Sequence, residues 1–553
     1  MLNIKFSVLQ KNTIVGDLRN NFILFKNSFL KANKNNCDFF ITPELALTGY
    51  PPKDFLHRDD FHELLNIYKE KIIELTKGKK TIFVLGLPIR RKKKLYNSVL
   101  IIKKGKILKQ FNKYILPNYG VFDEKRYFSS TKIKNDFFLY KKLKFKFLVC
   151  EDLWNNDFIK KISSFKYDFI IVLNASPFEK EKFSERLKLV KSRIEKFKVP
   201  ILYVNLIGGQ DDLVFDGGSF CVDKNKIVVY QGPFFRESDN FFSIDPLKTT
   251  KRELVKKVKN EDIFENIYNA LVLALRDYLK KNNFSKTMIG ISGGIDSALC
   301  SLIACDAIGS ENVSGFFLPT KYSSLDSKND SIELAKNLGF ELDIIPIEKF
   351  RLSFDNLLSK KFGNLPVDQT EENLQSRIRG NILMALSNKF NMLLLATGNK
   401  SELSVGYSTI YGDMCGGFSL LKDVYKSEVY KLCSWRNKNY SILSNLKKKS
   451  LISEKIIQKE PSAELKDNQK DSDSLPPYEI LDKILFLLID KNFSIKKIEE
   501  MGFDRKMIID IWRLIIISQH KRFQSAIGPK ISKMSFDYDR RFPITNKFEI
   551  ERI

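Results

Sequence analysis

Two sets of residues in this chain have the types and spacing that chemistry requires. In the N-terminal half, Cys150 closes the apolar run 145–149 and precedes Glu151-Asp-Leu-Trp154. A cysteine at a strand's end, ahead of a turn, is a candidate nucleophile, although a buried structural thiol is the commoner fate of one taken alone. Thr42-Pro43-Glu44 ends another apolar run, and Lys113 follows Phe111-Asn112 and precedes Tyr114. A glutamate, a lysine and a cysteine on separate strand ends would converge on one rim. In the C-terminal half, Ser292-Gly-Gly-Ile-Asp-Ser297 stands between an apolar run and a helical pattern. Its glycines let the backbone approach an oxyanion, and the helix N-terminus offers free N–H groups and a positive dipole end. Ser292 and Ser297 add hydroxyls, and Asp296 is placed to hold magnesium on phosphates. The bland alternative, a glycine turn with Asp296 and Ser297 as helix caps, competes evenly with this reading of the loop alone.

The elements that must position these residues are legible from periodicity. Residues 1 to about 245 alternate strand-length runs (4–8, 39–41, 81–85, 98–102, 145–149, 169–173, 201–204) with helical patterns at 18–32, 61–75 and 183–197. A charged stretch at 246–262 suits a linker. A helix over 263–279 then leads into a strand at 287–292, and helices at 296–307, 331–338 and 371–389 alternate with strands at 313–318, 342–346 and 392–397. Such alternation predicts a doubly wound parallel sheet. The pattern beyond Lys422 is mostly helical, with a polar loop over 464–474. The expected domains are therefore 1–245 and 263–553.

Composition sets bounds on what surrounds the two sets. The chain has 553 residues, 43% hydrophobic and 29% charged, which is globular material for two to four domains. No apolar run reaches the roughly 18 residues of a membrane span, and the N-terminus lacks a signal-peptide pattern, so a cytoplasmic protein without membrane partners is expected. Seven cysteines without a C-x-x-C pair, and three histidines, leave no zinc spacing and fit reduced thiols. The formal charge of +27 raises the question of nucleic acid. Lysine is scattered through every element, however, and the dense runs Arg90-Arg-Lys-Lys-Lys94 and Lys447-Lys-Lys449 fall at turns. Solvated surface is the favoured reading, and no nucleic-acid partner is expected.

The Ser292–Ser297 loop resembles the pyrophosphate-binding loop of the N-type ATP pyrophosphatases. Among these, Glu371-Glu-Asn-Leu-Gln-Ser-Arg-Ile-Arg-Gly380, Ala396-Thr-Gly-Asn-Lys-Ser-Glu-Leu-Ser-Val-Gly-Tyr407, Thr409-Ile-Tyr-Gly-Asp-Met-Cys-Gly-Gly417, Lys459-Glu-Pro-Ser-Ala-Glu-Leu465 and His520-Lys-Arg522 are similar to the NAD synthetase signature. That resemblance covers residues 263–545. It implies that Gly290, Ile291, Ser292, Gly293, Gly294, Ile295, Asp296 and Ser297 hold the ATP phosphates, and that Thr397 and Lys422 contact ATP. It further implies Asp296 and Glu402 as magnesium ligands, with Asn373, Glu402, Asp413 and Lys521 against deamido-NAD. Thr397, at a strand's carboxyl end, stands where doubly wound sheets bind ligands.

Pro43-Glu44, Lys113 and Cys150-Glu151-Asp152 resemble, in order, the three motifs of the nitrilase superfamily, whose fold is an αββα sandwich. The resemblance implies Glu44 as general base, Lys113 as oxyanion stabiliser and Cys150 as the nucleophile that forms a thioester. Leu47-Thr-Gly-Tyr-Pro-Pro52, Tyr119-Gly-Val-Phe-Asp-Glu124, Asn174-Ala-Ser-Pro177 and Gly208-Gly-Gln-Asp-Asp-Leu-Val-Phe-Asp-Gly-Gly218 are similar to the glutaminase domain of glutamine-dependent NAD synthetases. By that match Tyr119, Ser176 and Lys182 bind glutamine, and Asp212 stands where the family leads one to expect glutamate.

Either fold alone hosts several reactions, but the two in this order imply one. Ammonia freed from glutamine would amidate an ATP-activated carboxylate of deamido-NAD, giving NAD, AMP, pyrophosphate and glutamate. Members of this two-domain type are oligomeric, so a homo-oligomer is expected. Two rival readings remain: a tRNA-modifying ATP pyrophosphatase, for which no RNA-binding appendix is visible, and a silent nitrilase-like scaffold fused to an ammonia-dependent enzyme. The intact set of Glu44, Lys113 and Cys150 weighs against the second.

Overall fold

The computed structural model describes residues 3–248 and 262–548, which belong to two compact units, Met1–Glu261 and Asp262–Ile553. Of the segment read as a linker at 246–262, residues 249–261 lie outside the described residues.

In the first unit successive strand residues serve opposite cores, as the two-residue strand period requires. Phe39 and Ile41 of strand Phe39–Ile41 pack between two sheets with Ile4, Phe6 and Val8, while Phe40 turns outward against Phe25 and Phe29 of helix Leu18–Lys34. One sheet has the order Ser238–Ile244, Ile4–Gln10, Phe39–Ile41, Ile82–Arg91, Lys94–Lys103, Lys106–Asn112. The other has the order Val228–Gln231, Phe220–Val222, Ile201–Val204, Phe169–Leu173, Leu143–Val149, Phe138–Tyr140. Val190 and Ile194 of helix Lys182–Phe197 cover the second sheet through Ile170, Val172 and Ile201. The result is an αββα sandwich. Three parallel strands end level with one another, Val149 pairing with Leu173 and Leu173 with Val204, so the residues that follow them share a rim. The basic run at Arg90 forms a hairpin, with Arg91 opposite Lys94.

The second unit holds a five-stranded, wholly parallel sheet in the order Glu341–Ile344, Val313–Phe317, Thr287–Gly290, Leu393–Ala396, Phe418–Ser419. Chain order reverses beside Thr287–Gly290, and that reversal opens a crevice at the carboxyl ends, where doubly wound sheets take ligands. Helix Ile295–Ile308 is apolar on nearly every face and accordingly buried. Its one deep charge, Asp306, accepts hydrogen bonds from Tyr268 Oη (2.7 Å), Arg436 Nε (2.8 Å) and Ser444 Oγ (2.7 Å). A buried carboxylate persists only when satisfied in this way. Helix Glu348–Phe362, which the periodicity did not announce, has no buried residue and exposes Phe350, Leu352, Phe354 and Leu357. No described helix is long and apolar enough to cross a membrane.

Candidate active sites

On the rim of the first unit, Glu44, Lys113 and Cys150 come together, as expected of three strand-end residues. Glu44 and Lys113 are each 1% exposed and Cys150 4%. Glu44 Oε1 accepts from Lys113 Nζ (2.8 Å) and from Asn97 Nδ2 (2.7 Å), and its Oε2 accepts from the Ala175 backbone N–H (3.0 Å). Lys113 Nζ also donates to Glu124 Oε1 (2.6 Å). An ammonium has three donors, so one remains for a third partner.

Cys150 links strand Leu143–Val149 to the short helix Glu151–Trp154 at φ +42°, ψ −98°, a conformation in which a side chain is strained and which lifts the thiol out of the strand's line. Burial first, and then the Glu44 charge, push its thiol well above the ordinary range, while Lys113 pulls it down. The resting thiol is therefore neutral and needs a base to become a nucleophile. Asp152 braces the turn. Its Oδ1 accepts from the backbone N–H groups of Tyr114 (2.9 Å) and Ile115 (2.8 Å), its Oδ2 from that of Val149 (3.0 Å). One buried carboxylate thus ties the segment after Lys113 to the segment before Cys150.

The residues expected to bind glutamine sit around this rim. Tyr119, 58% exposed, donates its hydroxyl to Glu151 Oε2 (2.9 Å). Ser176 is held from behind: its Oγ accepts from Arg186 Nε (3.1 Å), and Arg186 is paired bidentately with Asp216 at 2.8 and 2.9 Å. Lys182 pairs with Glu179 (3.1 Å) and Glu185 (3.3 Å) and lies 5.1 Å from the Trp154 ring centre. The sequence reading missed Asn97, Glu124 and Asp152 as members of this site. Glu124 lay within a quoted motif, but nothing in its spacing announced that it would share Lys113. Burial, against the pull of Lys113, pushes the Glu124 carboxyl up to about 7.

In the second unit the Ser292–Ser297 loop turns into helix Ile295–Ile308 at the crevice. Gly293 takes φ +76°, and a Cβ there would fall 2.6 Å from the Ser327 carbonyl oxygen, so only glycine fits. Ser297 Oγ donates to the Gly294 carbonyl (2.9 Å), and the Ser292 N–H donates back to Ser297 Oγ (3.3 Å). The loop opens on a cavity of about 300 Å³. Gly290, Ile291, Ser292, Gly294, Ile295, Asp296, Ser297, Thr397, Glu402 and Asp413 all line it.

Asp296 and Glu402 are drawn together by two residues the sequence reading passed over. Asn399 donates Nδ2 to Asp296 Oδ1 (3.0 Å) and accepts on its Oδ1 from the Glu402 N–H (3.0 Å). Lys426 pairs with Asp296 and, at 3.2 Å, with Glu402. Burial, opposed by Lys426 and reinforced by Asp296, pushes the Glu402 carboxyl up to about 8. Two carboxyl groups beside a single ammonium form an oxygen donor set that would suit a hard divalent cation, whose charge favours the ionised form of Glu402.

Four expected residues stand off the wall: Gly293, which shapes the loop from behind, and Asn373, Lys521 and Lys422. Asn373 Oδ1 accepts from Thr409 Oγ1 (2.7 Å), and Thr409 lines the cavity. Lys521 Nζ donates to the carbonyls of Gly406 (2.8 Å) and Ser408 (2.7 Å), which flank the wall residue Tyr407. Lys422 is turned elsewhere, its Nζ donating to the Ala526 carbonyl (2.9 Å) and Asp537 (2.7 Å). Lys426, four residues later, lines the cavity instead, as does Lys459. In a lysine-rich stretch the sequence offered no periodic signal to choose between Lys422 and Lys426.

Comparison with known proteins agrees with both halves. The family model for carbon-nitrogen hydrolases matches residues 5–246, and that for NAD synthase residues 267–525. The chain is 40% identical to the glutamine-dependent NAD(+) synthetase of Acinetobacter baylyi over 99% of both chains. It is 38% identical to that of Thermotoga maritima over 99% of this chain and 100% of the relative. Among solved structures, the glutamine-dependent NAD+ synthetase of Acinetobacter baumannii in complex with ADP aligns with a TM-score of 0.77 at 39% identity, covering 98% of each chain. The synthetase of Cytophaga hutchinsonii shares the fold, with a TM-score of 0.81 at 21% identity over 99% of this chain and 98% of that one. With two matching domains in this order and such identity along its whole length, the chain belongs to the family of glutamine-dependent NAD(+) synthetases.

Proposed function

We propose that this protein makes NAD from deamido-NAD, taking nitrogen from glutamine and driving the amidation with ATP. The observation that carries the first half is the buried Glu44–Lys113–Cys150 set. Glu44 takes the thiol proton, and Cys150 attacks the glutamine carboxamide carbon. The oxyanion that forms meets the remaining Lys113 N–H, and Glu44 returns its proton as ammonia leaves a thioester. Glu44 then draws a proton from a water that attacks the thioester carbon, and passes it to the Cys150 sulfur as the C–S bond breaks and glutamate leaves. Tyr119, Ser176 and Lys182 hold the substrate.

In the second unit the nicotinate carboxylate of deamido-NAD attacks the ATP α-phosphorus, pyrophosphate leaves, and ammonia displaces AMP from the mixed anhydride. The Gly290–Ser297 backbone and hydroxyls hold the phosphates, with Thr397 at the adjoining strand end. Asp296 and Glu402 would hold magnesium, which supplies charge neutralisation on the phosphates when bound. Lys426 takes over the ATP contact first expected of Lys422, because it lines the cavity beside Asp296 and Glu402. Asp413 lines the deamido-NAD end, with Asn373 and Lys521 supporting it through Thr409 and Tyr407's neighbours.

The protein also works as a homo-oligomer in this reading. Phe350 and Leu357 on helix Glu348–Phe362, with Leu365 and Val367 beyond it, are 55%, 74%, 73% and 80% exposed, and a second copy would cover them. Seven free thiols suit the reducing cytoplasm. The test is product analysis of the purified protein given deamido-NAD, ATP and magnesium with either glutamine or an ammonium salt. NAD and AMP in equal amounts from both nitrogen sources support the reading. NAD from ammonium alone refutes the glutaminase half, and none from either refutes the synthetase half.

A further inference from the structure

We infer that Glu151 is the subsite for the α-ammonium group of glutamine, and so selects an α-amino acid amide over a simple amide. The inference rests on the glutaminase reading above and names what that reading lacks. Glutamine carries, beyond the amide that reacts, both a carboxylate and an ammonium on its Cα. The residues assigned to hold it offer two hydroxyls, from Tyr119 and Ser176, and one cation, Lys182, but no anion. An ammonium brought into a partly dehydrated rim without a counter-charge would weaken binding.

Glu151 supplies the missing charge at the right place. It directly follows the nucleophile and opens the helix Glu151–Trp154. Its Oε2 accepts the Tyr119 hydroxyl (2.9 Å), which fixes the carboxylate, and its Oε1 has no hydrogen-bond partner among the described residues. The charges of Lys113, Glu44 and Lys182 all act on it, so it lies within electrostatic reach of the reacting pair and of the cation expected to meet the substrate carboxylate. Lys182 in turn lies over Trp154, at the far end of the same helical turn. The Glu151 carboxylate next to Cys150 and the Lys182 ammonium over Trp154 are together complementary to the two charges of an amino acid. Burial raises the Glu151 carboxyl above its usual range, with the Tyr119 hydrogen bond and Lys113 working against it. An arriving ammonium adds to that opposing pull. Both residues already serve each other in the unliganded site, so the substrate finds the carboxylate oriented and gains affinity from that order.

The experiment compares glutamine with glutaramate, which is glutamine without its α-amino group, as ammonia donors for the full-length protein. Ammonia release is followed for wild type, Glu151→Gln and Glu151→Asp. The wild type is expected to prefer glutamine in kcat/KM. Glu151→Gln is expected to reduce that preference by about 10- to 100-fold, the worth of one charged hydrogen bond, mainly through KM for glutamine. Glu151→Asp, which keeps the charge, is expected to retain more of the preference than Glu151→Gln. Equal loss on both substrates, or a wild type indifferent to the α-amino group, overturns the assignment. A wild type that releases no ammonia from glutamine refutes the underlying glutaminase reading instead.

Discussion

At the residue scale, the glutaminase site depends on how three buried charges share protons. Lys113 lies between Glu44 and Glu124, and the carboxyl of Glu124 sits near 7 because burial outweighs the lysine's pull. Above that pH Glu124 is ionised and holds Lys113 charged for the oxyanion role proposed for it; below it, one of the two supports is neutral. Glutaminase kcat/KM is therefore expected to rise through about pH 7, and Glu124→Gln to lower it by roughly 10- to 100-fold and flatten that limb. The sign for folding runs the other way. A carboxyl raised from 4.5 to about 7 stabilises the fold below pH 4.5, and that contribution is lost as pH rises through 7, at about 1.4 kcal/mol per pKa unit. Glu124→Gln, permanently neutral, should narrow the difference in Tm between pH 5 and pH 8; an unchanged difference would contradict the raised carboxyl. Chemistry at this scale was only partly legible in the sequence. That Glu44, Lys113 and Cys150 come together was legible because a strand end is a sequence feature. Glu124, Asn97 and Lys426 act through contacts made 11, 53 and 130 residues away, which no local spacing encodes.

At the element scale, the sites are positioned by backbone geometry more than by side-chain supply. Gly293→Ala would place a Cβ 2.6 Å from the Ser327 carbonyl oxygen in a left-handed conformation, at a cost of about 1–3 kcal/mol. Thermal unfolding should show the loss, and ammonium-driven synthesis should show a raised KM for ATP. A fully active, equally stable variant would mean that the loop tolerates rearrangement. Behind Ser176, Arg186 is buried against Asp216 and also donates to the Ser176 and Pro177 carbonyls. Asp216→Asn leaves that guanidinium uncompensated and should destabilise the protein by about 3–5 kcal/mol in denaturant unfolding. The strands at 39–41, 169–173 and 201–204 were readable to the residue, since continuous apolar runs mark buried strands. Strand Lys106–Asn112, an edge that carries two lysines, and strand Ser238–Ile244, an edge that is mostly half-buried, were not, because their stability comes from pairing rather than from their own pattern. Helix Glu348–Phe362 was missed for a related reason: with no buried residue it shows no apolar stripe facing a core within its own unit.

At the scale of the whole molecule, that same helix is where a second copy is expected. Phe350→Asp together with Leu357→Asp should leave the fold intact, since neither side chain is buried, and lower the mass measured by light scattering. A wild type that is monomeric at every concentration would remove the proposed interface. The order of two domains, each of which serves other reactions elsewhere, is what narrowed the function, and it was legible from motifs before any contact was known. The central claim is that Cys150 frees nitrogen for a synthetase that is otherwise complete. The most direct measurement is NAD formation by Cys150→Ala with glutamine and, separately, with ammonium, each relative to wild type. The expected result is loss of the glutamine-driven rate by about 1,000-fold or more, as for removal of an essential nucleophile, with the ammonium-driven rate retained. Glutamine-driven synthesis that survives the substitution would contradict it.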